Sequence, residues 1–527
     1  MILRLFLTLA SAGIFALCFP DGPLPLSAFV CLAPFALALH GATARTGLLL
    51  GSLCGFSFWL IGAWWLANGF YFYVTLPWYA AWFWTVAGCL LAALPYALFG
   101  LLCAHFGWMN TTLGRIKAAA AFTVFLSWYP FLFPGNYVHS LYSSPLLIQS
   151  LDLGGLPLLL FLVTLVNFFA AGAVMERTEY RRIFKSVLAV SAVLALILGY
   201  GVCRLKMLHK DMSNTDKGHS VKVVSIQPNL PLTRAGKTHI FGNSKQHDDH
   251  NTALKQSAEA IQRFPDAQAI IWPELPGGIP CDPENETWRA VGDLAQKSGI
   301  PFIVNCYEYD PIAGGDYNKA QLIKGSGEFG PSYRKQILLP FGEYLPGERQ
   351  LPWMRKLFPR TLHYIPGNDT TPLPLGDEVL VIPTLCYEVL FPRLVRDFVL
   401  EGGGVIVNLV DDVWFGESDA SAIHMALAIY RAVEFRVPLV RATNSGNGVF
   451  VQPTGEIVKG SRTPVFKAGM TSFPLFIPEK RSVYAVIGDI FLILLTLVWG
   501  VVVILSSFSK RGWLFQGFYN KNSNNML

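Results

Sequence analysis

Residues 184–226 read FKSVLAVSAVLALILGYGVCRLKMLHKDMSNTDKGHSVKVVSI, and the chain changes solvent inside them. From Ser186 to Cys203 there is no charged residue, and roughly 20 apolar residues suffice to cross a bilayer as a helix. Charge then returns with Arg204, Lys206, Lys210 and Asp211. The next apolar run, Val221–Ile226, is short and β-branched, which predicts a strand. A membrane part ends here and a water-soluble part begins.

The rest of the chain divides the same way. Of its 527 residues 52% are hydrophobic and 14% charged, with mean hydropathy +0.41, which argues against a disordered chain and against an all-soluble globular enzyme. Residues 1–205 hold nine Lys/Arg and four Asp/Glu, about 6%, whereas the remainder is about 20% charged, close to ordinary globular composition. Net charge is +6. In a membrane protein such basic residues usually set topology, and no nucleic-acid motif accompanies them.

Apolar runs predict spans near 2–19, 24–41, 47–67, 77–106, 117–134, 154–175, 184–204 and 482–507. The first lacks a small-x-small cleavage site and is followed at once by further spans, so it is expected to be retained. Arg45, Arg115, Lys117, Arg177, Arg181, Arg182, Lys185, Lys510 and Arg511 fall on one side of an eight-span array, and the opposite loops near 20–23, 68–76 and 135–153 have no Lys or Arg. Both termini are then expected in the cytoplasm, with the insert on the opposite face. Arg204, Lys206 and Lys210 oppose this rule, although a large translocated domain weakens their weight. The division expected is 1–204 as seven spans, 205–481 as a soluble domain, 482–507 as the last span and 508–527 as a cytoplasmic tail.

The insert alternates strand candidates (Val221–Ile226, Ala269–Trp272, Phe302–Cys306, Glu378–Ile382, Val405–Leu409, Leu439–Ala442, Val449–Gln452) with helix candidates at 248–263, 286–298, 390–401 and 421–435. This predicts an α/β domain with a buried sheet, whose reactive groups collect beyond strand ends. Of nine Cys, only Cys281, Cys306 and Cys386 belong to the insert. No CxxC occurs, so zinc and dithiol redox chemistry have no support, and a disulfide between Cys281 and Cys306 stays open.

Three residues have chemistry to offer. Cys386 follows a strand candidate, in Pro383-Thr384-Leu385-Cys386-Tyr387-Glu388, and a helix dipole there would favour thiolate. Its plain alternative is a buried structural thiol. Glu274, in Trp272-Pro273-Glu274, is a carboxylate just past a hydrophobic strand, where partial desolvation would raise its pKa towards that of a working base. Its alternative is a loop or helix-start carboxylate. Lys335, in Tyr333-Arg334-Lys335, could stabilise an oxyanion, and taken alone it reads as a surface lysine.

In this order, with Pro340-Phe341-Gly342-Glu343 between the second and third, these motifs resemble the Glu–Lys–Cys triad of the nitrilase (carbon–nitrogen hydrolase) superfamily. With eight spans added, the whole chain resembles the apolipoprotein N-acyltransferases; Val413-Trp414-Phe415-Gly416, Arg431-Ala432-Val433-Glu434 and Ala442-Thr443-Asn444-Ser445-Gly446 match too. The family commonly has Asn where Asp411 stands, and a Trp where this chain reads Thr233-Arg234-Ala235-Gly236. The fold implied is a membrane α-helical bundle of about eight spans with an extracytoplasmic α/β nitrilase-like domain, an αββα sandwich, in a bacterial inner membrane with the domain on the periplasmic face.

The chemistry implied is two-step acyl transfer without a cofactor or metal. Glu274 takes the Cys386 proton, the thiolate attacks a phospholipid ester, and Lys335 stabilises the oxyanion. The thioester then acylates the α-amine of a lipoprotein's S-diacylglyceryl cysteine, in ping-pong order. Glu343 and Glu388 are implied as supporting carboxylates that orient Lys335 and the amine, and Tyr387 as a pocket residue. The segment Leu345–Pro366 mixes Leu351, Trp353, Met354, Leu357 and Phe358 with Arg349, Arg355, Lys356 and Arg360, so Trp353 and Phe358 are candidate lipid contacts, the plain alternative being a basic, partly buried surface loop. The nearest rival is a membrane-anchored amidase or nitrilase hydrolysing a C–N bond with the same triad; another is a lipid transporter or scaffold that has lost catalysis. His247-Asp248-Asp249-His250 reads as a helix-start charge run rather than a metal site, and Gly402–Gly404 as a helix stop.

Overall fold

The computed structural model describes residues 1–19, 21–214, 218–234, 237–239, 251–275 and 278–505. The His247–His250 run, the 508–527 tail and the side chains of the Thr233–Gly236 stretch lie outside the described residues.

Four helices among these are long and apolar enough to cross a membrane: Ala44–Ala63, Trp78–Phe106, Leu151–Met175 and Tyr180–Met212. Ile2–Cys18, Pro25–Leu39 and Ile490–Leu505 are shorter apolar helices. Several expected runs are therefore reshaped. The run 24–41 is not a continuous α-helix but a 3-10 turn, Pro25–Phe29, followed by Ala33–Leu39. Its interrupted backbone finds partners on neighbouring helices: the Leu32 N–H donates to Asn167 Oδ1 (2.7 Å) and the Phe35 N–H to Ser11 Oγ (2.8 Å). Irregular backbone at such depth survives only when paired in this way. The overlong run 77–106 divides at Ala93, just ahead of Pro95, which lacks a donor for the helical ladder. The fifth run forms Thr112–Trp128, capped by the Thr111 hydroxyl and stopped before Pro130. Arg115, expected in a loop, is buried on that helix and paired with Glu176 at 2.8 Å. The last run breaks at Gly488, where φ is +60°.

Helix Ala44–Ala63 lies against Leu94–Phe106 through Gly47, Gly51 and Gly55. A Cβ at Gly47 would run into the carbonyl of Gly100, and one at Gly51 into that of Tyr96. Small residues four apart let two backbones touch, and dispersion between them replaces the hydrophobic drive that lipid cannot supply.

Helix Tyr180–Met212 runs past the boundary expected at 204. Arg204, which opposed the charge rule, bonds Asp152 Oδ2 at 2.7 Å beside Arg436 of the C-terminal half, so it belongs to the joint between the two halves.

The C-terminal half has two sheets. Strands β1 (Gly218–Gln227), β4 (Ala269–Ile271), β5 (Phe302–Asp310), β6 (Gly315–Ile323), β7 (Phe329–Arg334) and β13 (Gly469–Pro478) form one, in the order β13-β1-β4-β5-β6-β7. Strands β8 (Leu373–Leu375), β9 (Val379–Leu385), β10 (Val405–Val410), β11 (Leu439–Thr443) and β12 (Val449–Val451) form the other, in the order β12-β11-β10-β9-β8. A small ribbon pairs β2 (Leu232–Arg234) with β3 (Lys237–His239). Neighbours along one strand face different cores. Val221, Val223, Ala269 and Ile271 pack with Val381, Ile406 and Leu409 of the second sheet. Val224, Ile226, Ile270 and Trp272 pack on helices Asn251–Arg263 and Glu286–Ser298. That period of two is what a sheet covered on both faces demands. Helices Pro392–Leu400 and Ala420–Phe435 complete the second half. Strands β9, β10 and β11 are parallel, so their C-terminal ends deliver Cys386, Asp411 and Asn444 to one edge. Cys281 and Cys306 are joined by a disulfide, linking the loop after Glu274 to β5.

Candidate active site

Each candidate leaves the end of a strand and turns inwards. Glu274 follows β4 and is 1% exposed. Its Oε1 accepts from Asn318 Nδ2 at 2.7 Å and lies 3.8 Å from Lys335 Nζ. Its Oε2 has no hydrogen-bond partner among the described residues. Burial raises the Glu274 pKa and the nearby Glu343 carboxylate adds to it, while Lys335, Asn318 and the thiol oppose them. The group is thus a stronger base than a solvated glutamate.

Lys335 follows β7 and is equally buried. Its Nζ donates to Glu343 Oε1 at 2.6 Å, and Glu343 Oε2 accepts the Leu339 N–H at 2.7 Å. Burial alone would pull the ammonium's pKa down, but Glu343, Glu274 and the Cys386 sulfur outweigh it and hold it well above the usual lysine range. The cation is therefore permanent.

Cys386 starts a five-residue 3-10 turn directly after β9, with φ at +49°, a left-handed conformation that costs a non-glycine residue energy. Its carbonyl is held in place of the missing helical ladder. Asn408 Nδ2 donates to it at 3.2 Å, and His424 Nε2 faces it at 3.2 Å. His424 Nδ1 meets Asp412 Oδ1 at 2.9 Å, Arg441 pairs with the other Asp412 oxygen, and Arg441 NH1 donates to Asn408 Oδ1 at 3.0 Å. This closed circuit of buried groups returns to the carbonyl where it began. The helix dipole expected to favour thiolate has little to act through, because the turn is short, and burial and Glu274 push the thiol's pKa well up, against Lys335. A thiol so raised needs a base to take its proton before the sulfur can attack, and Glu274 is the raised carboxyl that acts on it.

Glu388 supports the site through hydrogen bonds to its backbone and to Tyr333. Its Oε1 accepts from Tyr333 Oη (2.7 Å), Gln336 N (2.6 Å) and Ile337 N (3.0 Å), and its Oε2 from Leu385 N (2.9 Å). It ties the backbone that carries the lysine to the backbone that carries the thiol. Burial raises its pKa to about 6. Tyr387 points towards the bundle, donating to the carbonyl of Leu132 and stacking edge-on with Phe133 and Phe391.

The bundle supplies a wall of the site. Tyr73, ending the π-helical turn Gly69–Tyr73, stacks on Trp414 with centroids 3.6 Å apart. Asn68 Nδ2 donates to the Phe415 carbonyl at 2.9 Å, and Trp65 packs edge-on against Phe415. On one side of this wall a cavity of about 360 Å³ reaches Glu274, Tyr307, Tyr364 and Asp411. On the other, an apolar cleft lies between Phe70 and Val74 of the bundle and Phe341 and Gly342 of the domain.

Asp411 accepts from Val413 N, Asn444 Nδ2 and Trp414 Nε1. All three partners are donors, which suits a carboxyl; an Asn there would present one oxygen only. Burial raises its pKa well above the usual range.

The expected lipid contacts part company. Trp353 is 55% exposed, but Phe358 is 0% exposed and lies between Trp84 and Phe341, each 5.2 Å away. Phe358 is a joint between domain and bundle, because only Met354–Leu357 is helical and no continuous amphipathic face forms. Cys386, Asp412 and His424 place metal-type ligand atoms within 4.8 Å of one another. Both Asp412 oxygens are already committed, to His424 and Arg441, so the group has the chemistry of a structural circuit. Asn318, His424, Asp412, Asn408, Arg441 and Tyr73 were not singled out by the sequence reading.

Two family models match the chain: that of the apolipoprotein N-acyltransferase N-terminal domain over residues 11–169, and that of carbon-nitrogen hydrolase over 234–465. The apolipoprotein N-acyltransferase of Geobacter metallireducens is 27% identical over 506 residues, covering 91% of each chain. That of Bradyrhizobium diazoefficiens is 30% identical over 377 residues, covering 68% of this chain and 66% of the relative. Among solved structures, Saccharomyces cerevisiae Nit3, a nitrilase-superfamily member, is 19% identical, with a TM-score of 0.36 over 49% of this chain and 91% of its own.

Proposed function

The chain belongs to the apolipoprotein N-acyltransferase family, and from that membership we propose a phospholipid-to-lipoprotein acyl transfer that runs through a thioester on Cys386. The enzyme is an acyltransferase that N-acylates lipoproteins. The observation that carries the detailed reading is the burial of Glu274, Lys335 and the Cys386 turn together, behind a wall that the bundle itself completes.

In the first half-reaction the Glu274 carboxylate takes the thiol proton and the sulfur attacks the ester carbon of a phospholipid. The tetrahedral oxyanion develops beside Lys335, whose charge Glu343 keeps in place. Collapse expels the lysophospholipid alkoxide, which recovers the proton from Glu274. In the second, the α-amine of the diacylglyceryl cysteine attacks the thioester, Glu274 takes its proton, and the thiolate leaves and is reprotonated. Amide and free thiol result, and atoms and charge balance. Glu388 and Tyr387 hold the nucleophile turn against the lysine strand and the bundle. Drawing a chain into water costs about 0.8 kcal/mol per CH₂, so a site between bundle and domain suits two lipid-anchored substrates.

The membrane frame belongs to the same proposal: eight crossings, built from helical and broken segments, in a bacterial inner membrane. Residues 1–204 carry seven, 205–481 form the catalytic domain on the periplasmic face, 482–507 cross last, and 508–527 end in the cytoplasm like the N-terminus. Incubating the purified protein with one defined phospholipid and weighing it tests the chemistry. Gain of one acyl chain on Cys386, and its transfer to a diacylglyceryl peptide, is the expected result. A protein that stays unacylated yet releases ammonia from amides would be the rival amidase.

A further inference from the structure

A second cavity, about 450 Å³, lies between bundle and domain and shares no lining residue with the active-site cavity or its apolar cleft. Its walls are mostly apolar, with Leu160 from helix Leu151–Met175, Leu427 from Ala420–Phe435 and Phe391 ahead of Pro392–Leu400. The cavity is a cleft open to its surroundings, and a volume of a few hundred Å³ is that of a ligand site.

Two polar features single out the occupant. Arg431 lines the cavity although it is only 2% exposed. Its Nε lies 2.9 Å from Glu434 Oε2 but forms no aligned hydrogen bond, and NH1 makes one long bond, 3.4 Å, to the Leu390 carbonyl. Burial pushes the Glu434 carboxyl up to about 7, so near neutrality it offsets only part of the guanidinium's charge. A second guanidinium, Arg393, is 70% exposed, pairs with Asp489 at 2.9 Å and sits over the ring of Trp128 at 5.8 Å. Both residues line the same cavity, and Trp128 is 46% exposed at the end of its apolar helix, the usual place of an interfacial tryptophan.

We infer that this cavity holds an anionic phospholipid that is not the acyl donor, one chain along the apolar walls, its phosphate at Arg393 and an ester oxygen accepting from Arg431. Such a lipid touches both halves of the molecule. It also bears on Phe391, which packs on Tyr387 beside the nucleophile. The inference rests on the membrane reading of the bundle and not on the acyl-transfer chemistry.

The test uses full-length protein with Cys386→Ala, so that no acyl-enzyme forms. It is incubated with phosphatidylglycerol carrying a photoreactive acyl chain, or with the phosphatidylcholine equivalent, then irradiated and mapped by mass spectrometry. Expected is phosphatidylglycerol labelling of residues 126–136, 156–160 or 390–394. Arg393→Glu, at an exposed position, should cut that labelling about tenfold while leaving labelling near Trp414 and Phe341 intact. Leu427→Trp, which fills the cavity, should cut it as well. Labelling confined to the Trp414 side, equal labelling by both lipids, retention of detergent alone, or indifference to Arg393→Glu would each overturn the inference. Wild-type protein that acylates Cys386 while the cavity stays unlabelled would leave the proposed function standing and remove this site alone.

Discussion

Replacing Glu343 by Gln should disable the site while leaving the fold standing. Glu343 Oε1 is 2.6 Å from Lys335 Nζ, and Oε2 takes the Leu339 N–H at 2.7 Å. With an effective dielectric near 20, the gross attraction at that first distance is about 6 kcal/mol, against about 4 kcal/mol for Glu274 at 3.8 Å. Remove the nearer charge and the ammonium is left to Glu274, whose pKa falls as its proton affinity is spent on the lysine. The amide also faces two donors with one acceptor oxygen, so one donor goes unpaired, at about 1–3 kcal/mol. Displacing an oxyanion stabiliser costs about 3–4 kcal/mol of barrier, or roughly 10²–10³ in rate. The assay is single-turnover formation of the acyl-enzyme, followed by intact mass, with the melting temperature measured in parallel. Acylation within threefold of wild type would show that Glu343 neither holds nor charges the lysine as argued.

Three further outcomes follow from other parts of the molecule. Cys386→Ser should fold, since the turn is held by backbone contacts, yet give no acyl-enzyme by mass; a stable acyl-serine would undo the role assigned to sulfur. Asp412 is pulled down to about 2 from 3.8, chiefly against burial by Arg441 and His424, so a lowered carboxylate contributes stability that is full above pH 3.8 and lost as pH falls through about 2. Asp412→Asn should flatten that acid limb of the unfolding curve, by about 2 kcal/mol, and an unchanged limb would count against the circuit. Gly51→Leu should abolish folded protein, because its side chain would meet the Tyr96 backbone, whereas Gly13→Leu, with open space around it, should be tolerated; equal melting temperatures would contradict the contact.

What could be read from the chain was whatever stood out against its surroundings. Glu274 and Cys386 each end a run of apolar residues, and β4, β9, β10 and β11 stand out as short, mostly apolar runs containing Val or Ile. Strand β6 did not, because Asn318, Lys319 and Gln321 break its pattern; Asn318 is buried where it holds Glu274, Lys319 pairs with Glu308, and Gln321 donates to the Gly330 carbonyl. His424 sits on a helix buried all round, so no periodicity marks one face as special. Tyr73 lies where an apolar run gives way to a loop, and its importance comes only from Trp414, remote in sequence. Phe358 sits in a mix of basic and aromatic residues that suits an interface and a partly buried loop equally, and only its contacts with Trp84 and Phe341 decide between them. Helix breaks at Ala93 and Gly488 turn on a single proline and a single glycine, which an apolar run read for hydropathy alone does not register.

The ring of Tyr73 lying flat on Trp414 has a practical corollary for anyone wishing to work with a trimmed version. Excising the hydrolase-like half to obtain an easily handled reagent would strip one side from its reaction chamber and leave Trp414 and Phe415 bare to water. Such a fragment should clump or idle. Supplying the missing helices as a separately expressed piece would be the rational route to reviving it.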